Sequence, residues 1–315
     1  MELGARGTRG VIDFHPTMNP VAASIASVPS LASLRSRSRT LLALATLTST
    51  SSCRRTAAPA RLGGGSGAEG GGSRIESSGI WAGLRVRTVG ERRHPRQIVI
   101  LLHGWGAPGD DLVPLGQVLE APGRLWVFPE APLVSQGGGR AWWHLDLARL
   151  QAARERGEER DLRQQTPPGL SEARAQLTAL VAEVTRRAGV TPASMLLGGF
   201  SQGAMLATDV TLASPAAVSG LVILSGSLVT EAVWTKRLQA MPPGFPVFMS
   251  HGRGDPILPF RLADALREHV QAAHHEVTWV PFNGGHEIPP VVLTSLSGFL
   301  DAHAPPPPAG SSDAN

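Results

Sequence analysis

The run "LLGGFSQGAML", residues 196–206, sets Ser201 between Gly199 and Gly203. A serine hydroxyl attacks a carbonyl carbon only when a base removes its proton and a carboxylate orients that base. Residues of both kinds follow later in the chain. "HGRGDPILP" offers Asp255 and "NGGHEIPP" offers His286, giving the order Ser, acid, His. That set would support acyl transfer through a covalent acyl-serine. With 36 glycines in the chain, a lone Gly-x-Ser-x-Gly arises by chance about one time in three, so context must decide. Taken singly, Asp255 could be a turn aspartate and His286 a polar loop residue. Their agreement in type, order and loop placement argues for chemistry.

The tetrahedral intermediate of such a reaction also needs N–H donors for its oxyanion. One expected donor is the backbone N–H of Gln202, directly after the serine. The other is the N–H of Trp105, in the glycine-rich stretch "LLHGWGAPGDD". Asp110 and Asp111 there read as helix-capping residues, because no His or acid partner stands at metal-ligand spacing. The chemistry calls for neither a metal nor an organic cofactor. His251 at a strand end reads as a packing residue, and His274 and His275 as surface or edge residues. Ser225 and Ser227 lack the elbow.

These residues need elements to hold them. Between about Ile80 and Ala302, short apolar runs alternate with segments of helical period, which predicts a mainly parallel sheet with crossover helices. Strands are expected over 97–104, 124–132, 194–200, 220–226, 245–252 and 275–282. The strand before Ser201 and the helix-forming "QGAMLATDV" after it supply a sharp strand-to-helix turn, where Gly199 and Gly203 keep the flanks small. Asp255 and His286 then fall in loops at the carboxyl ends of strands, where open α/β sheets build sites. A helix with Ser171 as N-cap and Gly189 as stop would bury Leu177, Leu180, Val181 and Val184. A last helix begins at the prolines before "VVLTSLSGFLDA".

The 315 residues are 42% hydrophobic with a net charge of +4 and a pI near 10.7. The positive charge is local. Residues 1–74 hold nine arginines against three acids, leaving 20 basic and 22 acidic residues for 75–315. A near-neutral core argues against nucleic acid as a partner. Cys53 is the single cysteine, so no intrachain disulfide can form. "RSRSRTLLALATLTSTSSC", residues 35–53, has the order of an export signal: basic, apolar, small, then Cys53. It is similar to a bacterial lipoprotein signal, which would lipidate Cys53 and anchor the chain to a membrane. The other reading is a disordered extension. "RLGGGSGAEGGGS" (61–73) reads as a flexible linker and 304–315 as a disordered proline-rich tail. The expected division is tail 1–74, one catalytic domain 75–303, and tail 304–315.

Taken together, "LLHGWGAPGDDLVPL", "FPEAPL", "GGRAWWHLD", "GGFSQGAML", "LSG", "HGRGDPILP" and "GGHEIPPVVL" resemble the phospholipase/carboxylesterase family of α/β-hydrolases, which includes the acyl-protein thioesterases. The resemblance runs from about Ile98 to Leu300. It implies an α/β-hydrolase fold with a minimal lid and a triad of Ser201, Asp255 and His286. It also implies oxyanion donors at Trp105 and Gln202, a small-molecule ester or thioester substrate, and a cytoplasmic setting unless the Arg35–Cys53 signal acts. Trp105 stands where many members carry Leu, which would narrow the acyl entrance and make it a wall of the substrate pocket. Trp142 and Trp143 align with a segment bordering the acyl site and are either pocket walls or buried core aromatics. The charged stretch 147–168 is expected as a solvated helix plus loop. Carboxylesterase, lysophospholipase and acyl-protein thioesterase all remain open, and the rival of another class is an inactive hydrolase fold used for binding.

Overall fold

The computed structural model describes residues 77–306. The signal-like segment 35–53 with Cys53, the 61–73 linker and residues 307–315 lie outside them.

Among the described residues, ten strands and seven helices follow one another in the order β1 (Ser77–Trp81), β2 (Leu84–Gly90), β3 (Gln97–Leu102), α1 (Val113–Val118), β4 (Arg124–Pro129), β5 (Leu133–Val134), β6 (Arg140–Ala141), α2 (Leu147–Glu155), α3 (Leu170–Ala188), β7 (Met195–Phe200), α4 (Gln202–Ala213), β8 (Gly220–Leu224), α5 (Glu231–Ala240), β9 (Pro246–Gly252), α6 (Phe260–Ala272), β10 (Glu276–Phe282) and α7 (Pro290–Ala302). Eight strands make one sheet in the order β1-β2-β4-β3-β7-β8-β9-β10, and β5 and β6 form a separate hairpin. β2 runs antiparallel to both β1 and β4, and the pairings from β4 through β10 are parallel.

The apolar runs are continuous because both faces of the central strands are covered. Along β3, Ile98, Ile100 and Leu102 join one core with α3, α4, α5 and α6 residues. Val99 and Leu101 point the other way, into a second core with α1 and α7. Gln97 and Arg124 tie the end of α7 to the sheet: Gln97 Nε2 donates to Leu300 O at 2.7 Å, and Arg124 Nη2 meets Asp301 Oδ1 at 2.8 Å.

Three local expectations need correction. The N-cap of α3 is Gly169, at φ 86°, and Ser171 lies one residue inside the helix, donating to Glu172. A left-handed glycine turns the chain into the helix here, so no side-chain cap forms. Asp110 and Asp111 do not cap α1, whose N-cap is Leu112 without a side-chain bond; Asp110 instead pairs with Arg87 at 3.2 Å. Strands β1 and β2, ahead of Gln97, were not expected. The stretch 147–168 does hold a helix, α2, followed by a loop. That loop is anchored, with Leu162 buried and Glu159 paired to Arg261 of α6 at 2.6 Å.

Candidate active site

Ser201 sits between β7 and α4 with φ 55° and ψ −118°, a conformation costing a non-glycine residue about 1–3 kcal/mol. Strand β8 and helix α4 hold it there. Its N–H donates to Leu224 O at the end of β8 (2.9 Å), and its carbonyl accepts from Met205 N of α4 (3.1 Å). A Cβ on Gly199 would collide with the Gly203 backbone, and one on Gly203 with the Leu102 and His103 carbonyls. Both glycines are therefore required by close approach. α4 is buried on all sides, and its N-terminus opens directly behind Ser201, favouring negative charge there.

Asp255 and His286 meet. His286 Nδ1 lies 2.6 Å from Asp255 Oδ2, with the His286 side chain 5% and the Asp255 side chain 0% exposed. The other carboxylate oxygen, Oδ1, accepts from the N–H groups of Ile257 (2.8 Å) and Leu258 (2.9 Å). Burial opposes the charge on Asp255, yet hydrogen bonds from His251 and His286 and the backbone hold its carboxyl well below the usual range. Because a carboxylate oxygen accepts at 2.6 Å from Nδ1, the proton of the His286 ring is assigned to Nδ1. His286 Nε2 is buried and has no partner among the described residues. The imidazole packs on Phe200, the residue before Ser201, with ring centroids 4.8 Å apart. Among the described residues no hydrogen bond joins Ser201 to His286. The acid and histidine are thus joined, and the histidine packs on the residue that precedes the serine.

The loop after β3 approaches the same point. A Cβ on Gly104 would stand 3.3 Å from Ser201 Cβ. His103 is buried, accepts from Ala131 N at Nε2 (3.1 Å) and bonds Gly104 O through Nδ1 (2.8 Å). Burial lowers its pKa, in keeping with a neutral structural ring. The β5–β6 hairpin clamps the loop: Gly106 N donates to Arg140 O (2.8 Å) and Arg140 N to Ala107 O (2.9 Å). Trp105 is half-buried. Among the described residues no backbone carbonyl takes the N–H of Trp105 or Gln202.

Two contributions escaped the sequence reading. The Gln202 side chain grips the segment after β6, accepting from Trp142 N and donating to Trp143 O, each at 2.9 Å. His251 reaches Asp255 as well, with Nε2 3.2 Å from Oδ2. Only the spacing of His251 and Asp255, four residues apart, hinted at the latter.

The model of the phospholipase/carboxylesterase family matches residues 85–304. The chain belongs to the phospholipase/carboxylesterase family. Among its relatives is acyl-protein thioesterase 1 of Aspergillus fumigatus, 30% identical over 228 residues, covering 69% of this chain and 91% of that protein. A probable carboxylesterase of Oryza sativa subsp. japonica is 27% identical, covering 66% of this chain and 78% of that one. The crystal structure of esterase PE8 superposes with a TM-score of 0.58 at 29% identity, over 68% of this chain and 96% of that one. A Bacillus cereus carboxylesterase shares the fold at 17% identity, with a TM-score of 0.55 over 70% of this chain and 94% of that one. The sheet described above is that of an α/β-hydrolase, as the sequence resemblance implied.

In this family member Trp142 and Trp143 are each 2% exposed and belong to the main core. Trp142 also donates from Nε1 to His103 O at 3.0 Å, supporting the loop from behind. Among the described residues no group of three or more His, Cys, Asp or Glu could hold a metal ion.

Proposed function

We propose that this carboxylic ester hydrolase works through an acyl-enzyme on Ser201, with His286 as general base and acid and Asp255 orienting it. His286 Nε2 takes the Ser201 proton as Oγ attacks the ester or thioester carbonyl. The N–H groups of Trp105 and Gln202 receive the oxyanion. His286 then protonates the leaving alcohol or thiol, and the same histidine activates the water that frees the acid and restores Ser201. Asp255 keeps the imidazole in the required tautomer and stabilises its protonated form.

The observation that carries this reading is the buried 2.6 Å hydrogen bond between His286 and Asp255, which leaves Nε2 unpartnered among the described residues on a ring packed against Phe200, the residue before Ser201. The relatives named acyl-protein thioesterase 1 in Aspergillus fumigatus and Saccharomyces cerevisiae favour a thioester as a second substrate arm. The test is fluorophosphonate labelling of wild type, Ser201→Ala and His286→Ala, followed by p-nitrophenyl esters and matched thioesters of increasing chain length. We expect labelling of wild type only, and at least about a 10⁴-fold loss of kcat in Ser201→Ala. A folded wild type that takes no label would place the inactive binding module first.

A further inference from the structure

We propose that His251 is a positioning residue for Asp255, so that a second histidine stands behind the first; this rests on the triad reading above. His251 lies at the end of β9 and is fully buried. Its Nε2 faces two acceptors, Leu258 O at 2.9 Å and Asp255 Oδ2 at 3.2 Å. An atom between two acceptors must carry the hydrogen, so Nε2–H is shared between them and Nδ1 is left without a partner among the described residues. Oδ2 is the same oxygen that accepts from His286 Nδ1. With Oδ1 held by Ile257 and Leu258, His251 is the only side chain besides His286 that the described contacts place on this carboxylate.

The ring is fixed from outside as well. Phe260 of α6 meets it edge-on, with centroids 6.1 Å apart, and Phe260 is in turn packed against Trp279 of β10 and beneath the Arg253 guanidinium. The charged or titratable groups around this cluster are Asp255, His286, Arg253 and Glu287, the last tied to Gly285 N. The N–H of His251 aims Oδ2 at His286 and takes up part of its negative charge. Losing it would free the carboxylate to turn and would hold the protonated His286 more tightly.

The experiment compares His251→Phe, which keeps the buried ring, with His251→Gln, whose Nε2 can stand where the histidine Nε2 stood. Steady-state rates on a p-nitrophenyl ester across pH, with thermal melts, are measured beside Ser201→Ala. For the Phe variant we expect kcat lower by roughly ten- to a hundred-fold, the scale of one hydrogen bond to a charged group. KM should be unchanged and the acid limb of kcat/KM displaced to higher pH. The Gln variant should recover most of the rate and the original limb. Wild-type kcat and pH profile in a folded Phe variant would overturn the role of His251, as would equal losses in both variants, which would mark a packing effect. An active Ser201→Ala would instead overturn the underlying reading.

Discussion

The Asp255 carboxylate is fully buried yet receives N–H groups from Ile257, Leu258, His251 and His286. Burial alone would raise its pKa; the donors outweigh it and depress the pKa instead. A carboxyl depressed by folding contributes stability that is complete above its unfolded value, about 3.9. That contribution drains away as pH falls toward the native value. We therefore expect wild type to lose stability steeply below about pH 4, and Asp255→Asn to be less stable at neutral pH but to close the gap as acid is added. Urea unfolding from about pH 3 to about pH 7 measures this; parallel curves for the two proteins would show that the depressed carboxyl does not contribute. Ser201, Asp255 and His286 stand out as candidates in the sequence because residue type, chain order and loop placement are sequence properties. His251 does not. A histidine ending a strand looks the same whether it packs on a ring or bonds the acid four residues on.

Element by element, legibility followed burial. β3, β4, β7, β8 and β9 are covered on both faces and wrote themselves as apolar runs. β1 and β2 sit at the sheet margin, where "SSGIW" alternates half-buried and exposed positions and "LRVRTVG" is only partly covered, a weaker pattern than a continuous apolar run. Helix α4 hid a different feature. Asp209, 1% exposed, faces Arg174 of α3 and binds Arg237 Nη1 (3.1 Å) and Trp234 Nε1 (3.0 Å) of α5. One carboxylate thus fastens the helix behind Ser201 to both its neighbours. Asp209→Ala would orphan the Trp234 N–H and take from two guanidinium groups the carboxylate they share. We expect a cost of about 3 kcal/mol, a Tm drop of roughly 6–12 °C for a domain of this size. Residual folded protein should still take a fluorophosphonate label. A calorimetric melt within about 1 °C of wild type would show the cluster to be energetically neutral.

At the scale of the whole molecule, charge and chemistry are divided. The nine arginines of residues 1–74 give the chain its basic pI, while 75–315 is slightly acidic. Ser201, Asp255, His286 and the loop after β3 all lie within the family match, which begins at residue 85. Hydrolysis of a soluble ester therefore should not need the first 74 residues. We expect a chain lacking 1–74 to keep kcat/KM within about 0.5 kcal/mol of the full chain, roughly a factor of two. Its behaviour toward membranes is a separate measurement, because the basic, apolar and small-residue order ending at Cys53 bears on location and not on the carbonyl. Expressed in a bacterium and fractionated, the full chain should sediment with membranes, and Cys53→Ala should release it, if lipid at that thiol is the anchor. Release by high salt with Cys53 intact would assign the attachment to the arginines instead, since screening weakens surface charge and leaves an acyl chain in place. A large drop in kcat/KM on removing 1–74, by contrast, would mean that the tail reaches the site.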